Sequence, residues 1–178
     1  MHQQIVLLAR YNAWMNAKLY DAAATLPPAA LALDRGAFFG SIIGTLNHLV
    51  VADTIWLKRF AVHPPQHPAL DPVRQLPSPA GLDAVLFTDL TALRQRRTLL
   101  DEAITTWAAA LTAEDLATNL DYATTKGVAR SKNFAALLLH LFNHQTHHRG
   151  QATTLLAQAG VDVGVTDLVA LIPNVLAD

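Results

Sequence analysis

Two imidazoles four residues apart give this chain its clearest chemical signal. His144 and His148 lie in the stretch Asn143-His144-Gln145-Thr146-His147-His148-Arg149-Gly150-Gln151. Residues i and i+4 of a helix share a face, with Cβ atoms roughly 5–6 Å apart. Both rings could therefore reach one metal ion, as paired histidines do in helical zinc motifs. The alternative is a pair of hydrogen-bonded core histidines. Three features favour the metal. Two imidazoles set among leucines are costly unless their nitrogens find partners, and a shared ion satisfies both. A second helical pattern places His48 at an inward position of its own, between Thr45 and Ala52. Finally, the chain has no cysteine, and no Asp or Glu falls on these inward stripes, so an all-nitrogen site is the natural one. His48, His144 and His148 are the expected ligands, three neutral imidazoles that leave a coordination position open for water or substrate. Imidazole suits zinc, nickel, copper or iron, and residue types alone do not choose among them.

Neighbouring polar residues take expected supporting roles. His147 points about a quarter turn from His148 and reads as a supporting or solvent-facing group, with ligation as the alternative. His140 falls at the stripe's edge, as a packing or hydrogen-bonding residue, with lining of the pocket as the alternative. Gln151 could hydrogen-bond a ligand histidine, as could Asn47 and Asn143. Arg149 could pair with a carboxylate, support a helix contact or stay on the surface. Asp53 and Arg59 read as a surface ion pair, Arg96-Arg97 as a solvated helix edge, and Trp14, Trp56 and Trp107 as core aromatics. His2, His63 and His67 are expected to be exposed and uninvolved. No residue is singled out as catalytic.

Long helices must hold these groups. Over about 134–158, Phe134, Leu137, Leu141, His144, His148, Ala152 and Leu155 recur at steps of three or four. Asn133 could cap that helix and Gly160 end it. A first helix fits about 3–24 and is stopped by Pro27-Pro28. A connector follows, with a turn at Asp34-Arg35-Gly36. Ser41 is a candidate N-cap for a second helix reaching about Phe60. The proline-rich stretch 61–79 reads as a long irregular connection. A third helix fits about 81–111, with Val85, Leu86, Leu90, Leu93, Leu100, Ile104, Trp107 and Leu111 on its apolar face. Thr112 to Asp115 resembles a capping signal. Residues 120–130, with a Thr-Lys-Gly turn, suggest a small β-hairpin, and a short turn is expected near 167–171. The implied fold is all-α: a four-helix bundle with long crossover connections, residues 1–178 forming one domain.

Composition narrows the function classes. Apolar residues make up 52% of the 178 and charged residues 15%, with a net charge of −1. That is globular rather than disordered. The charges are scattered, without the clustered basic face that nucleic acid requires. The start, Met1-His2-Gln3-Gln4, lacks the basic residues of a signal peptide. The apolar run 134–142 contains His140 and is too short to span a bilayer. The expectation is a cytoplasmic protein that binds neither nucleic acid nor membrane.

Two blocks together carry a family resemblance. Asn47-His48-Leu49-Val50-Val51-Ala52-Asp53-Thr54-Ile55-Trp56-Leu57-Lys58-Arg59-Phe60 and the stretch 143–151 resemble the DinB family of small bacterial metalloproteins. The resemblance implies a DinB/YfiT-like four-helix bundle and a three-histidine site, which maps onto His48, His144 and His148. It also implies nickel or zinc as the metal and a homodimer of bundles. Related branches include enzymes dependent on a low-molecular-weight thiol, among them mycothiol-dependent maleylpyruvate isomerase and bacillithiol S-transferase; other members are labelled metal-dependent hydrolases. Three functions follow. The site could activate a low-molecular-weight thiol for transfer to a small electrophile. It could hydrolyse an ester or amide with activated water, although no inward Glu stands ready as a base. Or the metal could be structural, in a non-enzymatic dimeric stress-response protein.

Overall fold

The computed structural model describes residues 1–175. It is mostly helical, with one two-stranded antiparallel sheet. The α-helices among the described residues are α1 (His2–Ala23), α2 (Pro28–Ala32), α3 (Ile42–Ala61), α4 (Asp71–Arg74), α5 (Leu90–Ala110), α6 (Ala113–Ala117) and α7 (Phe134–Gln158). Strands β1 (Asn119–Ala123) and β2 (Ala129–Asn133) precede α7. Of the four long helices, α1 packs on α5 and α7, and α3 packs on the same two. No described helix is long and apolar enough to cross a membrane.

Local chemistry sets the boundaries. Ser41 Oγ accepts from Gly44 N at the start of α3, and Asn133 Oδ1 accepts from Ala136 N at the start of α7. Thr112 and Asp115 form a complete capping box on α6. Gly160 takes φ +81° and closes α7: Val161 N donates to Leu156 O and Gly160 N to Ala157 O, the two bonds of a Schellman motif. The hairpin pairs Asn119 with Asn133 through Ala123 with Ala129, and Gly127 supplies the positive φ of its turn.

Three connections differ from expectation. The connector after α1 contains α2, because Pro28 at a first-turn position favours a helix start as readily as a stop. The 61–79 stretch contains a 3-10 turn (Pro68–Leu70) and α4, which bury Leu70 and Val73. The third long helix begins at Leu90, not near Gly81. Residues 81–89 cannot join it, because side chains of α3 already hold their backbone. Asn47 Nδ2 donates to Phe87 O at 2.8 Å, and its Oδ1 accepts from Leu86 N and Phe87 N. Asp89 then caps α5 through Ala92 N. Val85, expected on the apolar face, is exposed.

The core is apolar at its ends, with Phe60, Trp107 and Phe134 in ring contact. Its middle is a polar layer built from all four long helices. Arg97 Nη1 donates to Asp53 Oδ2 at 2.7 Å, and Arg97 Nη2 lies 3.0 Å from Asp101 Oδ1. Asn12 and Asn16 donate to the same Asp101 carboxylate. Arg149 donates to Asn12 Oδ1, Gln145 Oε1 and Thr146 Oγ1. The expected surface pair of Asp53 with Arg59 is therefore absent. Asp53 is wholly buried, and it corrects the expectation that no acid faces inward. Arg97 is buried rather than a solvated edge, and Arg149 is buried rather than a surface charge. Buried charges need partners: Asp53 meets Arg97 and Asn12 meets Arg149 across helices, while Asp101 and Gln145 stand one turn from the same arginines on their own helices. Burial pushes Asp101 up to about 6 against the opposing pull of Arg97. Burial likewise lowers Arg149 to about 10.

Candidate metal centre

α3 presents His48 in its second turn, and α7 presents His144 and His148 from one face. The packing of α3 on α7 brings the three rings together. His48 Nε2 lies 3.3 Å from His144 Nε2 and 3.2 Å from His148 Nε2. One nitrogen from each ring lies within 4.8 Å of the others. His48 is buried, and the other two are half-buried. Gln145 Nε2 donates to Leu49 O, tying α7 to α3 beside His48.

The far sides of the rings decide what the near sides can do. His48 Nδ1 donates to Leu82 O at 2.8 Å; a carbonyl only accepts, so the proton of the neutral ring sits on Nδ1 and Nε2 is a bare lone pair. His148 Nδ1 donates to Gln151 Oε1 at 2.7 Å, which leaves its Nε2 bare as well. Two lone pairs facing each other at 3.2 Å repel unless a cation or proton lies between them. Burial lowers the pKa of all three histidines, and for His144 burial and then the neighbouring His148 and His48 bring it to about 3. A proton is thus disfavoured near neutral pH, and neutral imidazole is the form a metal requires. His144 Nδ1 is buried without a partner. The donor set fits a divalent ion that accepts nitrogen.

Two connections shape the surroundings. Phe39 stacks on His48 at 3.8 Å and meets His148 edge-on. The turn carrying Phe39 approaches α3 closely: a Cβ at Gly44 would lie 2.1 Å from Phe39 O, so only glycine fits there. On another side, the 81–89 segment supplies Leu82 O. A cleft of about 250 Å³ opens against His144, lined also by Ala52, Trp56, Leu82, Tyr122 and His140. A cleft of about 370 Å³ between α1 and α5 borders Asn16, Tyr20 and Arg97 of the polar layer, and none of the three histidines lines it.

The structure brings together His48, His144 and His148 as expected, and Gln151 takes its expected place against the ring of His148. His147 is exposed and meets Gln151 and the edge of His148. His140 is exposed at the cleft mouth, edge-on to Trp56. Asn143 is exposed, and Asn47 holds the 86–87 backbone instead of a histidine. Trp107 is a core aromatic; Trp56 and Trp14 are half-buried, with Trp56 in the cleft wall. His2, His63 and His67 are not uninvolved. They meet Ala108 O, Thr118 Oγ1 and Asp115 respectively, all away from His48, His144 and His148. Sequence reasoning missed the polar layer beside the site. A signal was available: Asn12/Asn16, Arg97/Asp101 and Gln145/Arg149 are all i, i+4 pairs of polar residues in an apolar chain.

No curated protein and no solved structure matches the chain at a significant level. A model of the DinB family matches residues 1–173, so the chain belongs to the DinB family.

Proposed function

We propose that His48, His144 and His148 hold a divalent metal ion, nickel or zinc, and that the protein is a metal-dependent enzyme which readies a low-molecular-weight thiol for transfer to a small electrophile. The convergence of three neutral imidazole nitrogens, two with their protons fixed on the far side, carries this reading. A divalent ion held by three nitrogens keeps a position open and lowers the pKa of a thiol bound there toward neutrality.

The chain's own residues supply the rest. Leu82 O and Gln151 Oε1 orient two of the rings. Phe39 covers one face of His48 and keeps water from it. The cleft wall of Trp56, Tyr122 and Leu82 offers apolar surface to a substrate beside His144. No carboxylate is among the residues lining that cleft. The pairwise packing of the four long helices supports a four-helix bundle with crossover connections, and we take residues 1–178 as one domain working as a cytoplasmic homodimer on a small-molecule substrate.

The test is conjugation of bacterial thiols to an electrophile by metal-loaded protein. Thiol consumption that disappears in His144→Ala is the expected result. Hydrolysis of an activated ester with no thiol turnover refutes the transferase reading.

A further inference from the structure

We infer that Arg59 forms an anion subsite at the mouth of the histidine cleft, and that the site takes a small molecule carrying a carboxylate. The inference rests on the proposed metal site for its location but not for its chemistry. The Arg59 guanidinium carbon lies 4.7 Å from the centre of the Trp56 ring and 4.9 Å from that of Tyr122. Two aromatic contacts hold the group in place and leave its N–H edge for a planar acceptor. Among the described residues no carboxylate pairs with it.

Its position matters as much as its freedom. Arg59 lines the cleft of about 250 Å³ that contains His144. It also lines an adjoining cleft of about 400 Å³, so it stands where the two meet. The nearby charges leave it uncompensated at the inner end. Lys58 is committed to Arg74 O and Leu76 O. Burial first, then Lys132 and Arg59, lowers the pKa of His140 at the same mouth. Asp121 lines only the outer cleft. A half-buried cation without a counter-ion gains from an anion supplied by the ligand. A single planar fork between aromatic walls matches a carboxylate, which accepts two parallel N–H bonds.

Calorimetric titration of the zinc-loaded full chain tests this with three probes: propionate, mercaptopropionate and mercaptopropanol. Arg59→Gln should weaken both acids about ten-fold or more and leave the alcohol unchanged, while Arg59→Lys should keep part of the acid affinity. Mercaptopropionate binding tighter than either simpler probe places the carboxylate on the thiol. Propionate binding undiminished by bound mercaptopropanol places it on the second substrate. Equal acid affinity in wild type and Arg59→Gln, both shown folded by circular dichroism, overturns the subsite. Metal content is read on the same samples. A preparation without metal contradicts the metal site alone, because the propionate ratio needs no metal and still decides the role of Arg59.

Discussion

Gln151→Ala probes how the protein prepares the proposed metal site. The substitution removes the acceptor of a 2.7 Å bond from His148 Nδ1. That bond holds the proton on Nδ1 and keeps Nε2 bare, 3.2 Å from His48 Nε2. Without it, His148 can place its proton on Nε2 and cease to be a ligand until the tautomer reverts. Loss of such a partner costs about 10–100-fold in metal affinity, or about 1.4–2.7 kcal/mol. The lower end applies here, because His148 is half-buried and water can replace the amide oxygen. His48 offers no equivalent handle, since its acceptor is the backbone carbonyl of Leu82. Gln151→Glu should act oppositely, because a charged acceptor strengthens the bond and makes the ligand more basic. Competition against a chromophoric chelator at neutral pH measures both. A Gln151→Ala affinity within about two-fold of wild type would refute the argument, since it requires the tautomer to matter.

Arg97→Met should destabilise the protein by about 3–5 kcal/mol in urea unfolding, because it leaves the Asp53 carboxylate buried without its partner. A change under about 1 kcal/mol would contradict the polar layer described. Asn47→Ala should cost about 1–3 kcal/mol by orphaning the Leu86 and Phe87 amides; hydrogen exchange should show 81–89 opening first, and unchanged protection there would speak against it. The metal-free protein should lose stability as pH falls from 6.5 toward about 3. His144 has its folded-state pKa lowered to about 3, so the unfolded chain binds protons first over that window. Asp101, raised to about 6, gains protons first in the folded state and works in the opposite sense between 3.8 and that value. Asp101→Asn should therefore steepen the acid loss, and urea midpoints across the range that do not move would refute both assignments.

What the sequence disclosed follows from how local each signal is. Helix periodicity, the Ser41, Thr112 and Asn133 caps and the Gly160 stop act within a few residues, and the elements they predict are present. The three histidines were legible because each breaks an apolar stripe. The start of α5 was not, because the pattern over 81–89 is helical in composition; only Asn47 and His48, about forty residues away, claim its backbone. The same holds for Asp53, Arg97 and Arg149. Each looks like a surface charge by type, and each is buried with at least one partner from a different long helix. Gln145 and Arg149 occupy the centre of the α7 face, and the histidines sit one residue to the side. The stripe as read from the sequence therefore sits slightly rotated from the stripe that packs.

The central claim is that His48, His144 and His148 form a metal centre. Metal analysis of tag-free protein, wild type beside His48→Ala, His144→Ala and His148→Ala, tests it most directly. The structure predicts one divalent ion per chain in the wild type and its loss in each folded variant. Full metal content in those variants, or none in a wild type supplied with nickel and zinc, would contradict it.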